Sequence, residues 1–170
     1  MDRASKIIEV AKSYLGIIEK SNNTGWYNAR FEAKMKKAGW YKGAFWCAFG
    51  TKVIWLEAYS DNAAFVAIIN KCFNGSARET LANAKANGTF ATGTEPKPGA
   101  IVIWLKGKGP SGHAGIVISV DGNTMVTIEC NTNASGSRNG DRVARKLRTV
   151  HRDFQAEGLN VAGYIYPFQK

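Results

Sequence analysis

Three short stretches of this 170-residue chain carry residue types that can do chemistry together. Gly43-Ala44-Phe45-Trp46-Cys47-Ala48-Phe49 offers a thiol, and Gly112-His113-Ala114-Gly115 offers an imidazole. Thr127-Ile128-Glu129-Cys130-Asn131 adds a carboxylate and an amide. A cysteine, then a histidine, then an acid or amide is the part list of a thiol nucleophile activated by an imidazole base. Cys47 falls in the first turn of an expected helix, where unpaired N–H groups and the positive end of the helix dipole favour the thiolate. Such a placement, with an imidazolium beside it, takes a cysteine from about 8.5 to roughly 3.5–7.5.

His113 follows a glycine-rich loop and opens an expected strand. Along the next strand Glu129 and Asn131 share one face and Cys130 takes the other. Register then decides whether they meet. If Asp121, Gly122 and Asn123 make a three-residue turn, Val120 pairs with Thr124 and His113 falls opposite Asn131. Glu129 is then the diagonal neighbour, within reach of the ring. Asn123 would take the left-handed conformation of that turn. A two-residue Asp-Gly turn would instead set His113 opposite Cys130 and put both polar partners on the other face. The cysteine chemistry requires the first register.

The elements that must position these groups follow from periodicity and punctuation. Helices are expected over 2–15, closed by Gly16, and from Asn28 to Gly39. A third begins near Phe45 and runs to Tyr59. The fourth, 62–72, is nearly all apolar and is expected to be well buried. A capping box, Ser76-x-x-Glu79, opens a fifth that ends at Asn87-Gly88. Glu95-Pro96-Lys97-Pro98-Gly99 breaks the pattern, and strands follow at 100–104, 115–120, 124–131, 143–150 and 159–166. Residues 133–140 read as a polar loop. The fold class is α+β, with N-terminal helices packed on a C-terminal antiparallel sheet of about five strands. We read residues 1–170 as one catalytic domain, with a helical half at 1–90 and a β half at 98–167. Trp26, Tyr27, Trp40, Tyr41 and Trp46 read mainly as packing around the nucleophile, with one or two free to line a groove.

Other candidates have plainer readings. Cys130 and Cys72 suit packed core positions, and His151 suits the surface. Glu57 lies nearly three turns beyond Cys47 on the same helix, too far to orient His113. Three cysteines without a CxxC exclude a disulfide scaffold, and at least one thiol should be free. His113 and His151 make no metal-ligand spacing with them.

Four pieces in this order resemble a CHAP domain, the cysteine- and histidine-dependent amidohydrolase/peptidase group, related in fold to NlpC-type and papain-like enzymes. They are Phe45-Trp46-Cys47-Ala48, Pro98-Gly99-Ala100-Ile101-Val102, Gly112-His113-Ala114-Gly115-Ile116-Val117 and Ile128-Glu129-Cys130-Asn131-Thr132-Asn133. The likeness runs from about Ala4 to Tyr166. It implies cleavage of amide bonds in peptidoglycan, as an endopeptidase or an N-acetylmuramoyl-L-alanine amidase. It further implies Cys47 as nucleophile, His113 as base, Glu129 as the group that orients the ring, and Asn131 as a secondary polar group. Relatives usually carry glycine where this chain has Cys130. Calcium-binding relatives carry an acidic cluster before the cysteine. Here that stretch offers only Glu32, so neither a metal nor another cofactor is expected.

Composition bounds the setting. The net charge of +10 suits anionic cell-wall or outer-membrane polymers as partners. The basic residues are scattered instead of forming a stripe with interleaved aromatics, so no nucleic-acid partner is expected. No apolar run approaches the roughly 18 residues of a membrane span, and the N-terminus lacks the apolar core of a signal peptide. With the wall hydrolase reading, these features suggest a phage or prophage endolysin, monomeric, made in the cytoplasm and acting on the wall or periplasm after release. An exported amidase-type toxin would use the same residues. A non-catalytic basic module that binds wall or nucleic acid is the alternative from another class.

Overall fold

The computed structural model describes residues 1–133 and 140–168. Five helices come first: α1 (Arg3–Ser13), α2 (Ala29–Lys37), α3 (Cys47–Ala58), α4 (Ala63–Cys72) and α5 (Ala77–Asn87). Polar side chains start four of them. Asp2, Asn28, Asn62 and Ser76 each accept a hydrogen bond from the backbone N–H three residues on, relieving one of the donors that a helix start leaves unpaired. Gly88 closes α5 with φ +75°, a conformation that suits glycine. In place of a reciprocal capping box, the Glu79 side chain accepts from Asn74 Nδ2 at 2.7 Å. α3 differs from the rest: Trp46 precedes it without any side-chain cap.

Six strands follow: β1 (Thr92–Gly93), β2 (Ile101–Lys106), β3 (Gly112–Asp121), β4 (Thr124–Thr132), β5 (Arg142–Thr149) and β6 (Leu159–Ile165). They form one antiparallel sheet in the order β1-β6-β2-β3-β4-β5. The extra strand is the two-residue β1, too short to show as an alternating pattern. The chain does not meander throughout either, since β6 crosses back to pair with β2. Most of the expected polar loop at 133–140 lies outside the described residues.

Alternation along the strands gives the sheet two faces. Ile101, Ile103, Ala114, Ile116, Ile128 and Cys130 face the helices and join their core. Val102, Trp104, Val117 and Tyr164 belong to a smaller apolar cluster on the outer face. α3 lies across β3 and β4 and is buried along almost its whole length. α4 is the element that departs from its sequence pattern. Only Ile69 and Cys72 are buried, because α4 packs at the margin of the bundle against α3 and α5.

The expected three-residue turn does not form. Asp121 pairs with Thr124, leaving Gly122 and Asn123 as a two-residue turn. Gly122 supplies the positive φ, +53°, in place of Asn123; glycine at the first central position is a familiar two-residue hairpin solution. Continued alone, this register would carry His113 past Asn131. A bulge between Val117 and Ser119 shifts it back by one residue, so that Ile116 pairs with Ile128 and Gly115 with Glu129. The two local departures cancel before the strand reaches His113.

Candidate active site

Cys47 is the first residue of α3, and the loop before it is anchored from below. Trp46 is fully buried and packs edge-on against Trp26, with ring centroids 5.1 Å apart. Its indole Nε1 donates to Glu19 at 2.8 Å. Burial pushes the Glu19 carboxyl above its usual range, with the Trp46 bond opposing. Trp40 is also buried in this aromatic cluster, whereas Tyr27 and Tyr41 stand in solvent. The loop is tied across by Gly43 N–H donating to Asn23 O at 2.7 Å. These contacts fix where α3 begins and therefore where the thiol sits.

The sheet brings His113 to that thiol. Gly115 and Glu129 are a directly opposed pair, the last of the β3–β4 ladder. His113, two residues earlier on β3, is thus the diagonal neighbour of Glu129 on the same face. His113 Nε2 and Glu129 Oε2 are 2.8 Å apart, and neither residue has any exposure to solvent. Glycine at 115 makes the contact possible. A Cβ there would lie 2.8 Å from Glu129 Cγ, tighter than real side chains tolerate. With Nε2 engaged, the buried Nδ1 makes no hydrogen bond among the described residues, and the ring lies near enough to Cys47 for each group to shift the other.

The electrostatics follow from these contacts. Burial opposes a Cys47 thiolate, but the hydrogen bond and charge of His113, with the N–H groups of Ala114 and Ala48, hold the thiol below its usual value. Burial likewise works against an imidazolium, yet Cys47 and Glu129 together lift His113 to about 9. Burial would raise Glu129 as well; Arg148 and His113 draw it down to about 2. The shifts run in the direction that favours a thiolate beside an imidazolium, with an ionised carboxylate behind the ring.

Two residues around Glu129 escape sequence reasoning. Arg148 Nε donates to Oε1 at 2.8 Å and Nη2 to Oε2 at 2.5 Å, a two-pronged grip. Thr127 Oγ donates to Oε1 at 2.6 Å. Arg148 also lies over the Trp104 ring, 5.2 Å from its centroid, and Trp104 stacks on the His113 ring at 5.6 Å and 25°. Arg148 sits in a basic run on an edge strand, and only the β4–β5 register, with Met125 opposite Arg148, shows that it shares the face of Glu129. Thr127 was legible in principle, being two residues from Glu129 on the same face.

Asn131 is fully buried with φ +54°. Its side-chain nitrogen and oxygen have no hydrogen-bond partner among the described residues, so it makes no bond to His113. Its positive φ sits within the irregularity of the β4–β5 ladder between Glu129 and Thr132. Cys130 faces the helical side, where its thiol packs so closely that a Cβ on Gly50 would lie 2.3 Å from Sγ. Burial, with Cys47 and Glu129 nearby, pushes that thiol well up. Cys72 is buried, and all three thiols are free. His151 is exposed, with Nε2 3.3 Å from Glu95, and Glu57 is bound to Lys34 and Tyr14 far from His113.

A helix-borne cysteine, a strand-borne histidine and a buried carboxylate on an α+β scaffold define the class of papain-like thiol sites. The chain belongs to the CHAP domain family, which matches over residues 9–131 and spans Cys47, His113 and Glu129. Among solved structures it is similar to Ly7917, with a TM-score of 0.48 and 18% identity over 96% of this chain. A second structure, Ly7917 with the hydrolyzing product of MDP, gives a TM-score of 0.45 at 14% identity over the same 96%. The chain spans 62% of the length of each. No curated protein matches it.

Proposed function

We propose that this chain hydrolyses amide bonds of peptidoglycan with Cys47 as nucleophile. The observation that carries the reading is the buried unit in which Glu129, gripped by Arg148, meets His113 while the same ring faces the thiol of Cys47. In the mechanism, the thiolate attacks the amide carbon, and the protonated His113 gives its Nδ1 proton to the leaving amine. His113 then takes a proton from water, which attacks the thioester and frees the acid, restoring the thiol pair. Glu129 orients the ring and stabilises its cation without accepting the proton, a role suited to a carboxylate held near 2. The Cys47 N–H at the start of α3 would be one donor to the oxyanion.

Family membership supports the substrate class, and the charge of +10 suits an anionic wall. Within that class we read the chain as a phage or prophage endolysin. Digestion of purified peptidoglycan by wild type and Cys47→Ala, with released fragments identified by mass spectrometry, tests the proposal. New amine ends from wild type alone support it, and the fragment masses separate amidase from endopeptidase. Equal release by both proteins would overturn the nucleophile assignment.

A further inference from the structure

The outer face of the sheet carries a cavity of about 360 Å³ beside the Trp104 cluster. Trp104 and Phe154 give it flat apolar walls, and Arg148 and Arg152 give it charge; no acidic residue lines it. The charges do not all cancel locally. Arg148 faces Glu129 and His151 faces Glu95. Arg152 donates to the backbone oxygen of Leu159 and has no carboxylate partner among the described residues. One positive charge on the wall is left over.

Hydrogen-bonding capacity is left over too. A guanidinium carries five N–H groups in a fixed fork. Arg148 spends two on Glu129, so three remain on a side chain that is 20% exposed and lines the cavity. Planar forks of this kind bind carboxylates in pairs of parallel bonds. The volume lies near the lower end of the roughly 300–1,000 Å³ of small-molecule sites, which suits a ligand of the size of an acylated amino acid.

We propose that this cavity binds a small monoanionic carboxylate with an apolar or planar body, of the size of an N-acyl amino acid. Its carboxylate lies between Arg148 and Arg152, and its body lies against Trp104 and Phe154. A single uncompensated charge and apolar walls favour this ligand over a phosphate, which carries close to two charges and no apolar surface. The pocket lies behind the reacting groups, yet Arg148 and Trp104 both touch the Glu129–His113 unit, so His113 senses the occupant. Binding needs no turnover, so it can fail or succeed apart from the hydrolase reading.

Calorimetric titration of the full chain with N-acetylphenylalanine, its uncharged amide and inorganic phosphate tests this, with the His113 ring protons followed by NMR. N-acetylphenylalanine is expected to bind one to one and to shift the His113 signals. The amide, phosphate, and the Arg152→Leu variant with N-acetylphenylalanine are each expected to show binding at least tenfold weaker. Phe154→Ala, at an exposed wall position, is expected to weaken binding as well and serves if Arg152→Leu does not fold. Absence of saturable binding, equal affinity for the amide or for phosphate, or unmoved His113 signals at saturation would each overturn the proposal.

Discussion

Replacing Arg148 with methionine removes the fork from Glu129 while keeping most of the stem that covers Trp104. Glu129 would then sit with no solvent exposure, holding only Thr127 and His113. Its carboxyl lies at about 2 against 4.5 for a free glutamate. At 1.36 kcal/mol per unit, that gap corresponds to about 3 kcal/mol of stability, shared between Arg148 and His113. Breaking one side of a buried pair costs roughly 3–5 kcal/mol, the same range. For a chain of this size a loss of up to about 3 kcal/mol lowers Tm by up to about 6–12 °C. The sign follows from the depressed value: this stability is full above 4.5 and is lost as pH falls toward about 2. Thermal melts of wild type and Arg148→Met should therefore differ most at neutral pH, converge below 4.5 and meet near 2. A gap that stays constant across this range would refute the reasoning and assign Arg148 a packing role on Trp104 alone.

Gly115→Ala places a Cβ 2.8 Å from Glu129 Cγ; displaced by about an ångström, the His113–Glu129 pair should lose roughly 10²-fold in kcat with little change in KM. Steady-state kinetics on a soluble muropeptide checks this. Gly50→Ala sets a Cβ 2.3 Å from Cys130 Sγ and should cost about 1–3 kcal/mol by overpacking. Adding Cys130→Gly should restore most of it, and denaturant unfolding of both proteins measures the coupling. The imidazolium of the thiol pair is lost as pH rises through about 9, so kcat/KM should fall above that point, and a pH–rate profile locates the limb.

The helices were largely legible because their starts carry local signals, such as Asn28, Asn62 and Ser76, and Gly88 marks one end. The sheet was legible strand by strand but not as an assembly. β6 pairs with β2 through contacts distant in sequence, and no local pattern encodes that crossing. The hairpin before the site shows the limit most clearly. The cysteine chemistry required a three-residue turn after Val120, whereas the chain turns on two residues and recovers that register at the bulge between Val117 and Ser119. His113 and Glu129 were readable as residue types on neighbouring strands, but their meeting depended on the register that the turn and the bulge set together. Arg148 was not, because its role depends on a second register, β4 against β5, that places one arginine of a basic run over a buried carboxylate. The burial of α4 was misread for a related reason: an apolar composition shows what a helix can bury, not how many neighbours it has.

If Cys47 is the nucleophile, it carries the acyl group during turnover. Acid-quenching the enzyme early in its reaction with a peptidoglycan fragment, followed by intact mass and peptide mapping, tests it most directly. The expected result is a mass increase equal to the acyl portion of the fragment, located on the peptide containing Cys47 and absent in Cys47→Ala. Fragment cleavage at full rate with the adduct on another residue, or with Cys47→Ala equally active, would contradict it.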